Sequence, residues 1–161
     1  MEKPIKIFSY QVAENLIKIF SKYRVKYLFI GKSGAILYGF PDTTQDVDIF
    51  PKKSPENGKR IVKALRELGF QIDEMLASSI IRGKDFIQIR GGPFDIDLIF
   101  APDGIESFEQ AKKHSVLIEK KYPAASLSDI INSKKTAFRQ KDRESLERLE
   151  SFEKYLKNRG R

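Results

Sequence analysis

The stretch Gly31–Phe50, GKSGAILYGFPDTTQDVDIF, decides how the rest of the chain is interpreted. It opens with Gly-Lys-Ser, which is how a phosphate-binding P-loop ends, and it closes with two spaced aspartates, Asp46 and Asp48. A P-loop needs a further glycine five positions before its last one, so that successive backbone N–H groups can wrap the phosphates. Lys26 occupies that position, at the start of the apolar run KYLFIG, which is typical of a buried strand. The sequence therefore excludes a P-loop.

Gly31, Lys32 and Ser33 still mark the junction between a strand and a short helix. The N-terminus of a helix carries unpaired N–H groups and the positive end of the helix dipole, which suit a phosphate. Lys32 would add a charge and Ser33 a hydroxyl. Helix capping is the commoner role of such a junction, so taken alone it is a weak indication of a phosphate site.

Two pairs of aspartates give a stronger signal. Asp46 and Asp48 alternate along a predicted strand, which places both on one face, roughly 6.6–7 Å apart. Asp95 and Asp97 repeat the pattern in FDIDLIF. One such pair alone would more often face water. If the two strands are neighbours, however, three or four carboxylates converge, an arrangement that can hold two metal ions about 3.5–4 Å apart in phosphoryl or nucleotidyl transfer.

The composition limits the class of protein. The 161 residues include 30 Lys and Arg against 22 Asp and Glu, a net charge of +8, which favours anionic partners or simply a well-solvated surface. The absence of cysteine excludes disulfides and thiol chemistry. No signal peptide or membrane-spanning run is apparent, so we expect a cytoplasmic protein without membrane contact. His114, the sole histidine, is expected to cap a helix or face water.

Periodicity predicts an α/β (α+β) fold, in which a central mixed sheet is flanked by helices and followed by a helical tail, in one domain over residues 1–161. The strongest predicted strands are KYLFIG, DVDIF and FDIDLIF, and the weaker ones are FQID, SIIRG, DFIQIRG and HSVLIEK. Residues 51–58, PKKSPENG, are expected to form a linker. Helices are predicted over residues 9–22 with Ser9 as N-cap, 33–39, 59–69, 104–113, 126–139 starting at Ser126 or Ser128, and 142–158.

GKSGAILYGFPDTTQDVDIF followed by FDIDLIF resembles the signature of the polymerase-beta-type nucleotidyltransferase superfamily. That signature is a glycine-led turn, an acid pair on a strand and a third acid on a later strand; Tyr38-Gly39 and Thr44 also match. The tail is similar to the closing helices of small bacterial and archaeal members, including nucleotidyltransferases of abortive-infection toxin–antitoxin systems. The resemblance covers roughly residues 25–150, with about 25–100 as the catalytic core and 101–161 as a mostly helical tail. The matching tail residues are Lys134, Arg139, Lys141 and Asp142.

The resemblance implies a role for each matching residue. Asp46 and Asp48 would bind both metal ions, Mg²⁺ with Mn²⁺ able to substitute. Asp97 would bind one of them and accept the proton of the attacking hydroxyl; it is preferred to Asp95 because DLIF matches the family's third acid. A solvated lysine on an amphipathic helix is the alternative for Lys134. The implied nucleotide-binding residues are Gly31, Lys32, Ser33, Thr44 and Lys134.

The implied activity is a Mg²⁺-dependent transfer of a nucleoside monophosphate from an NTP such as ATP to a hydroxyl of a protein or RNA acceptor, tRNA included. Two positions depart from the family pattern. Lys32 stands where a second small residue is usual, and Asp42 stands where an arginine is frequent. Because an aspartate repels a triphosphate, the alternative is a catalytically diverged nucleotidyltransferase-like binding module, such as one partner of a toxin–antitoxin pair.

Overall fold

A six-stranded mixed sheet organises the protein in its computed structural model, which describes residues 7–137 and 143–159. The strands are β1 (Tyr27–Phe29), β2 (Asp46–Pro51), β3 (Phe86–Ile89), β4 (Asp95–Ile99), β5 (Val116–Ile118) and β6 (Tyr122–Ala124). The helices are α1 (Tyr10–Lys22), α2 (Gly31–Leu37), α3 (Pro55–Leu68), α4 (Glu74–Arg82), α5 (Phe108–His114), α6 (Leu127–Thr136) and α7 (Arg143–Arg159). The predicted fold class is confirmed. No helix in the described part of the chain is long and apolar enough to cross a membrane.

The strand order is β3-β4-β2-β1-β6-β5. β2 and β4 lie side by side and parallel, and so do β1 and β6, whereas the other neighbouring pairs are antiparallel. The parallel pairing of β2 with β4 matters most, because it sets the strands with the aspartate pairs next to each other.

The two faces of the sheet are covered differently. On one face, Phe29, Val47, Ile49 and Leu98 pack with α1, α3 and α4 into the largest core. The other face carries a smaller core around Leu28, to which α5 and α6 contribute. Strand residues alternate between the faces, so the aspartates of β2 and β4 lie on the second face, beyond the part that α5 and α6 cover.

Residues 51–58 were predicted to be a linker, and this is wrong at Pro51, which ends β2, and from Ser54 onwards. The Ser54 hydroxyl caps α3 by accepting a hydrogen bond from the Asn57 backbone N–H at 3.1 Å. Pro55 is the first residue of the helix, where its fixed φ fits and its missing N–H costs nothing. The turn-forming residues of this segment therefore start a helix.

The predicted strands FQID and SIIRG are also wrong. Residues 74–82 form α4, which Asp73 caps through a 2.8 Å hydrogen bond from the Leu76 N–H. The helix packs closely on α3, since a Cβ atom on Gly58 would lie 2.6 Å from the Ile81 Cα atom. Capping and packing override the preference of isoleucine for strands.

The C-terminal third contributes two strands to the sheet, one more than predicted. β5 confirms the predicted strand in HSVLIEK, whereas β6, which pairs with β1, was not predicted. β6 has only three residues, Tyr-Pro-Ala, and a proline within a short run argues against a strand in the sequence alone. Ser126, not Ser128, caps α6.

Candidate active site

The aspartates of β2 and β4 stand side by side in register. Asp46 pairs with Asp95 and Asp48 pairs with Asp97 along the parallel ladder. Asp97 is 5% exposed, while Asp46, Asp48 and Asp95 are partly exposed. The predicted convergence of the carboxylates on one face of the sheet is confirmed; their catalytic and metal-binding roles stay predictions.

Gly31 leaves room for the Asp48 carboxylate. Just after β1 ends and before α2 begins, the Ile30 N–H donates a 3.0 Å hydrogen bond to the Asp48 carbonyl of β2. A Cβ atom on Gly31 would lie 2.3 Å from Asp48 Oδ2, and Gly31 has φ +63. Both the backbone angle and the contact therefore require glycine at this position.

Ser33 holds α2 to β2 from inside the protein. Its hydroxyl is fully buried, accepts a 2.9 Å hydrogen bond from the Asp48 backbone N–H and donates one to the Ile30 carbonyl at 3.2 Å. Ser33 was predicted to bind nucleotide. That role stays a prediction, while the hydrogen bond from Asp48 shows that Ser33 also holds the backbone of β2 in place.

Burial and mutual repulsion raise the proton affinity of two carboxyls. Desolvation, with the charges of Asp97 and Asp46, holds the pKa of Asp48 well above its ordinary value, and the Lys134 charge opposes the rise. Asp48 faces the cleft on one side only, so burial against the surrounding protein dominates the shift of its pKa. Burial and the Asp46 charge raise the pKa of Asp97 to about 6, against the opposing charge of Arg90.

Arg90, just beyond β3, supplies a positive charge to this cluster. Its Nη1 atom lies 2.6 Å from Asp46 Oδ1, 3.4 Å from Asp97 Oδ1 and 3.8 Å from Asp95 Oδ2. Arg90 was not among the residues predicted for the site. The alternation in DFIQIRG carries a signal, since it places Phe86, Gln88 and Arg90 on one face, but that face meets the aspartates only because β3 pairs with β4.

The carboxylates suit a hard divalent cation. Asp97 Oδ1 is buried and has no hydrogen-bond donor, because Arg90 approaches it at ion-pair distance without making a hydrogen bond. Such an atom needs a cation or a proton. Within residues 7–137 and 143–159, no three side chains are already arranged as a metal-binding group, and Asp46 is turned to Arg90. Carboxylate oxygens are the ligand type that Mg²⁺ prefers, and metal binding by these residues stays a prediction.

A cleft of about 610 Å³ opens beside Asp48. Gly31 and Lys32 line it from α2, and Lys134 lines it from α6. The expected position of Lys134, facing the cleft near the acids, is confirmed, whereas its role with nucleotide stays a prediction. Phe86, 47% exposed, forms part of the wall on the side of β3.

The two departures from the family pattern contact each other. Lys32 Nζ lies 3.3 Å from Asp42 Oδ2, and Arg148 of α7 approaches the same oxygen at 3.4 Å. Arg148 also donates a 2.8 Å hydrogen bond to the Pro41 carbonyl. The negative charge at position 42 is thus neutralised by two cations, one of which belongs to the tail.

The remaining predicted residues lie elsewhere. Thr44 is in the loop before β2, where its carbonyl accepts a 2.7 Å hydrogen bond from the Phe8 N–H, and it does not line the cleft as far as the structure describes it. His114 Nδ1, at the end of α5, lies 3.3 Å from Asp129 Oδ2 of α6. Arg139, Lys141 and Asp142 lie outside the described residues.

A second groove, of about 560 Å³, lies at the other end of β1. Lys26, Lys52, Lys112 and Lys121 line it over an apolar floor. It is the more apolar of the two cavities, but Asp48 lines the first cleft and pairs with Asp97 on the next strand, so we take the first cleft as the candidate active site.

Comparison with known proteins supports the fold. No protein-family model matches the sequence, and no curated protein matches it significantly. Among solved structures, the chain is similar to a Thermotoga maritima protein described as a "putative nucleotidyltransferase", with a TM-score of 0.55, 16% sequence identity and 92% of each chain covered. The chain has a nucleotidyltransferase-like fold. At this identity the likeness extends to the fold and no further.

Gly31→Ala tests the close approach of α2 to Asp48. The added methyl group should lower the free energy of unfolding by about 2–3 kcal/mol, through backbone strain and displacement of the Asp48 side chain. Gly91→Ala is the matched control, because Gly91 has φ +77 but no atom within 4 Å of an added Cβ. Urea unfolding measures both. Equal losses in the two variants would mean that Gly31 is required by its backbone angle alone.

Asp97→Asn tests the strain among the acids as a function of pH. The folded protein keeps a proton on Asp97 up to about pH 6, whereas the unfolded chain loses it near 3.8. The stability contributed by that proton is therefore present below about pH 4 and lost as the pH rises through 6, which costs roughly 2–3 kcal/mol. In EDTA, wild type should lose stability relative to Asp97→Asn between pH 4 and 7. If the stability of the two proteins changed with pH in parallel, burial and repulsion would not raise the pKa of Asp97.

Proposed function

We propose that this protein is a Mg²⁺-dependent nucleotidyltransferase that moves a nucleoside monophosphate from an NTP to a hydroxyl of a protein or RNA acceptor, with pyrophosphate as the other product. The observation that carries the proposal is the register of β2 and β4, which sets Asp48 beside Asp97 at the edge of the cleft. A single aspartate pair has many uses, but two in-register pairs beside an open cleft match the demands of phosphoryl chemistry.

The metal ligands would be Asp46, Asp48 and Asp97. Bound Mg²⁺ would neutralise charge on the phosphates and help to align the attacking and leaving oxygens. Asp46 and Asp48 stand on one strand and Asp97 on the next, so the sheet fixes the spacing of the three side chains. Gly31 and Ser33 fix Asp48 further, one by leaving space and the other by binding its backbone.

The NTP would lie in the cleft with its phosphates near the acids. Lys134 lines the cleft and its charge acts on Asp48, so it is placed to neutralise the triphosphate. Lys32 lines the same cleft from the start of α2, with Asp42 holding its ammonium group.

Asp97 would take the proton of the acceptor. In the metal-free protein the pKa of Asp97 is about 6, so the carboxyl is already ionised at neutral pH and could accept a proton. The acceptor oxygen would attack the α-phosphorus, the bond from that phosphorus to the pyrophosphate oxygen would break, and the hydroxyl proton would pass to Asp97.

The alternative function is a nucleotide-binding module without turnover, such as a toxin–antitoxin component. The observation that favours it is the ion pair between Lys32 and Asp42. In this pair, Asp42 neutralises the Lys32 ammonium group, which a triphosphate in the cleft would otherwise contact. Binding without pyrophosphate release would favour this alternative.

Turnover is tested by measuring pyrophosphate released from each of the four NTPs with Mg²⁺, in the presence of mixed RNA or protein acceptors. We expect release with wild type and a loss of at least about 100-fold in Asp48→Asn, because a charge-stabilising group at the reacting phosphate is removed. Glu147→Gln, an exposed change on α7, is the control and should leave the rate unchanged. Equal rates in wild type and Asp48→Asn would rule out this site as the source of activity.

Metal binding is tested by thermal unfolding. At a free Mn²⁺ concentration about a hundred times the dissociation constant, the folded state gains roughly 2.7 kcal/mol, which raises Tm by about 5–10 °C for a chain of this size. Asp48→Asn should lose most of this increase, and its Tm without metal should equal or exceed that of wild type because repulsion is relieved. Glu147→Gln should respond like wild type. The same Mn²⁺ response in wild type and Asp48→Asn would show that the acids are not the metal site.

A further inference from the structure

Arg90 occupies the position among the acids where a cation is needed. Its Nη1 atom is within 4 Å of carboxylate oxygens of three residues, Asp46, Asp95 and Asp97. The contact with Asp46, at 2.6 Å, is a charge-assisted hydrogen bond, whereas the other two are longer ion pairs. One guanidinium group thus neutralises carboxylates from two adjacent strands.

The guanidinium satisfies the cluster incompletely. Asp97 Oδ1 is buried and keeps no hydrogen-bond donor, although Arg90 is 3.4 Å away. In the position it occupies, the guanidinium donates a hydrogen bond to Asp46 and only approaches Asp95 and Asp97, and it carries one charge for three carboxylates. A divalent ion carries twice the charge and accepts oxygen ligands from several directions. The cluster therefore has a resident cation that a divalent ion can outcompete.

We propose that Arg90 is a positioning residue that holds the carboxylates together in the metal-free protein and has to release Asp46 before a divalent metal ion binds. This inference rests on the proposed metal-dependent function. The Arg90 side chain is 43% exposed and lies at the end of an edge strand, so it can swing into solvent without disturbing the core. Arg90 would thereby lower the apparent affinity for metal and keep the site in register until metal arrives.

The test measures Mn²⁺ binding by the loss of the free-ion electron paramagnetic resonance signal, and Tm with and without Mn²⁺. Arg90→Ala removes a competing charge close to the ligands, so its dissociation constant for Mn²⁺ should fall at least about tenfold. Its Tm in EDTA should lie below that of wild type, and saturating Mn²⁺ should remove most of this difference. A merely structural role would lower Tm by the same amount with and without metal.

Two further variants serve as controls. Arg60→Ala removes an exposed arginine that pairs with Glu56 at 2.7 Å, so it makes the same change in net charge far from the cluster and should leave Mn²⁺ affinity unchanged. Arg90→Lys keeps the charge without the planar fork and should give an affinity between wild type and Arg90→Ala. It also provides the measurement if Arg90→Ala does not fold.

The outcomes separate this inference from the proposed function. Tighter Mn²⁺ binding by Arg90→Ala, or by Arg90→Lys if the alanine variant does not fold, supports the role of Arg90. Equal or weaker binding by those variants, with Mn²⁺ binding by wild type intact, overturns it and leaves the metal site standing. The absence of Mn²⁺ binding in wild type and in every Arg90 variant would overturn both.

Discussion

Like charge concentrated on one face of the sheet, on the neighbouring strands β2 and β4, is the constraint on which the active-site region depends. The parallel pairing of β2 and β4 forces Asp48 and Asp97 into adjacent positions, and burial of Asp97 removes the water that would screen them. Two neighbouring positive charges offset the free-energy cost of this burial and repulsion. Arg90 supplies one positive charge, and Lys134 supplies a second one nearby. The aspartates are therefore partly neutralised by the protein itself.

The aspartate cluster could be predicted from the sequence because it depends on local alternation. Two D-x-D patterns on apolar strands fix which face each carboxylate occupies, and only the pairing of the strands had to be assumed. Arg90 and Asp42 show the opposite case. Arg90 meets the acids through the β3–β4 hairpin, and Asp42 meets Arg148 across more than a hundred residues. Such contacts come from tertiary packing, which periodicity does not encode.

The wrong predictions of secondary structure have one physical origin. In FQID and SIIRG, and in the segment 51–58, residues that favour strands or turns were judged without the helix caps and packing partners that decide their structure. Asp73 and Ser54 are short polar residues that also suit turns, and they cap helices here because α3 and α4 bury apolar side chains against the sheet and each other. The strand β6 was not predicted because its three residues contain a proline and depend on pairing with β1 and β5 and on burial in the core.

A crystal structure with Mn²⁺ and a non-hydrolysable NTP analogue would test the metal site and the nucleotide position directly. We predict anomalous density for Mn²⁺ between Asp46, Asp48 and Asp97. The triphosphate should pass Gly31 towards Lys134, and Arg90 should have moved away from Asp46. Density for the triphosphate in the lysine-lined groove at the other end of β1, with no metal at the three aspartates, would contradict this prediction.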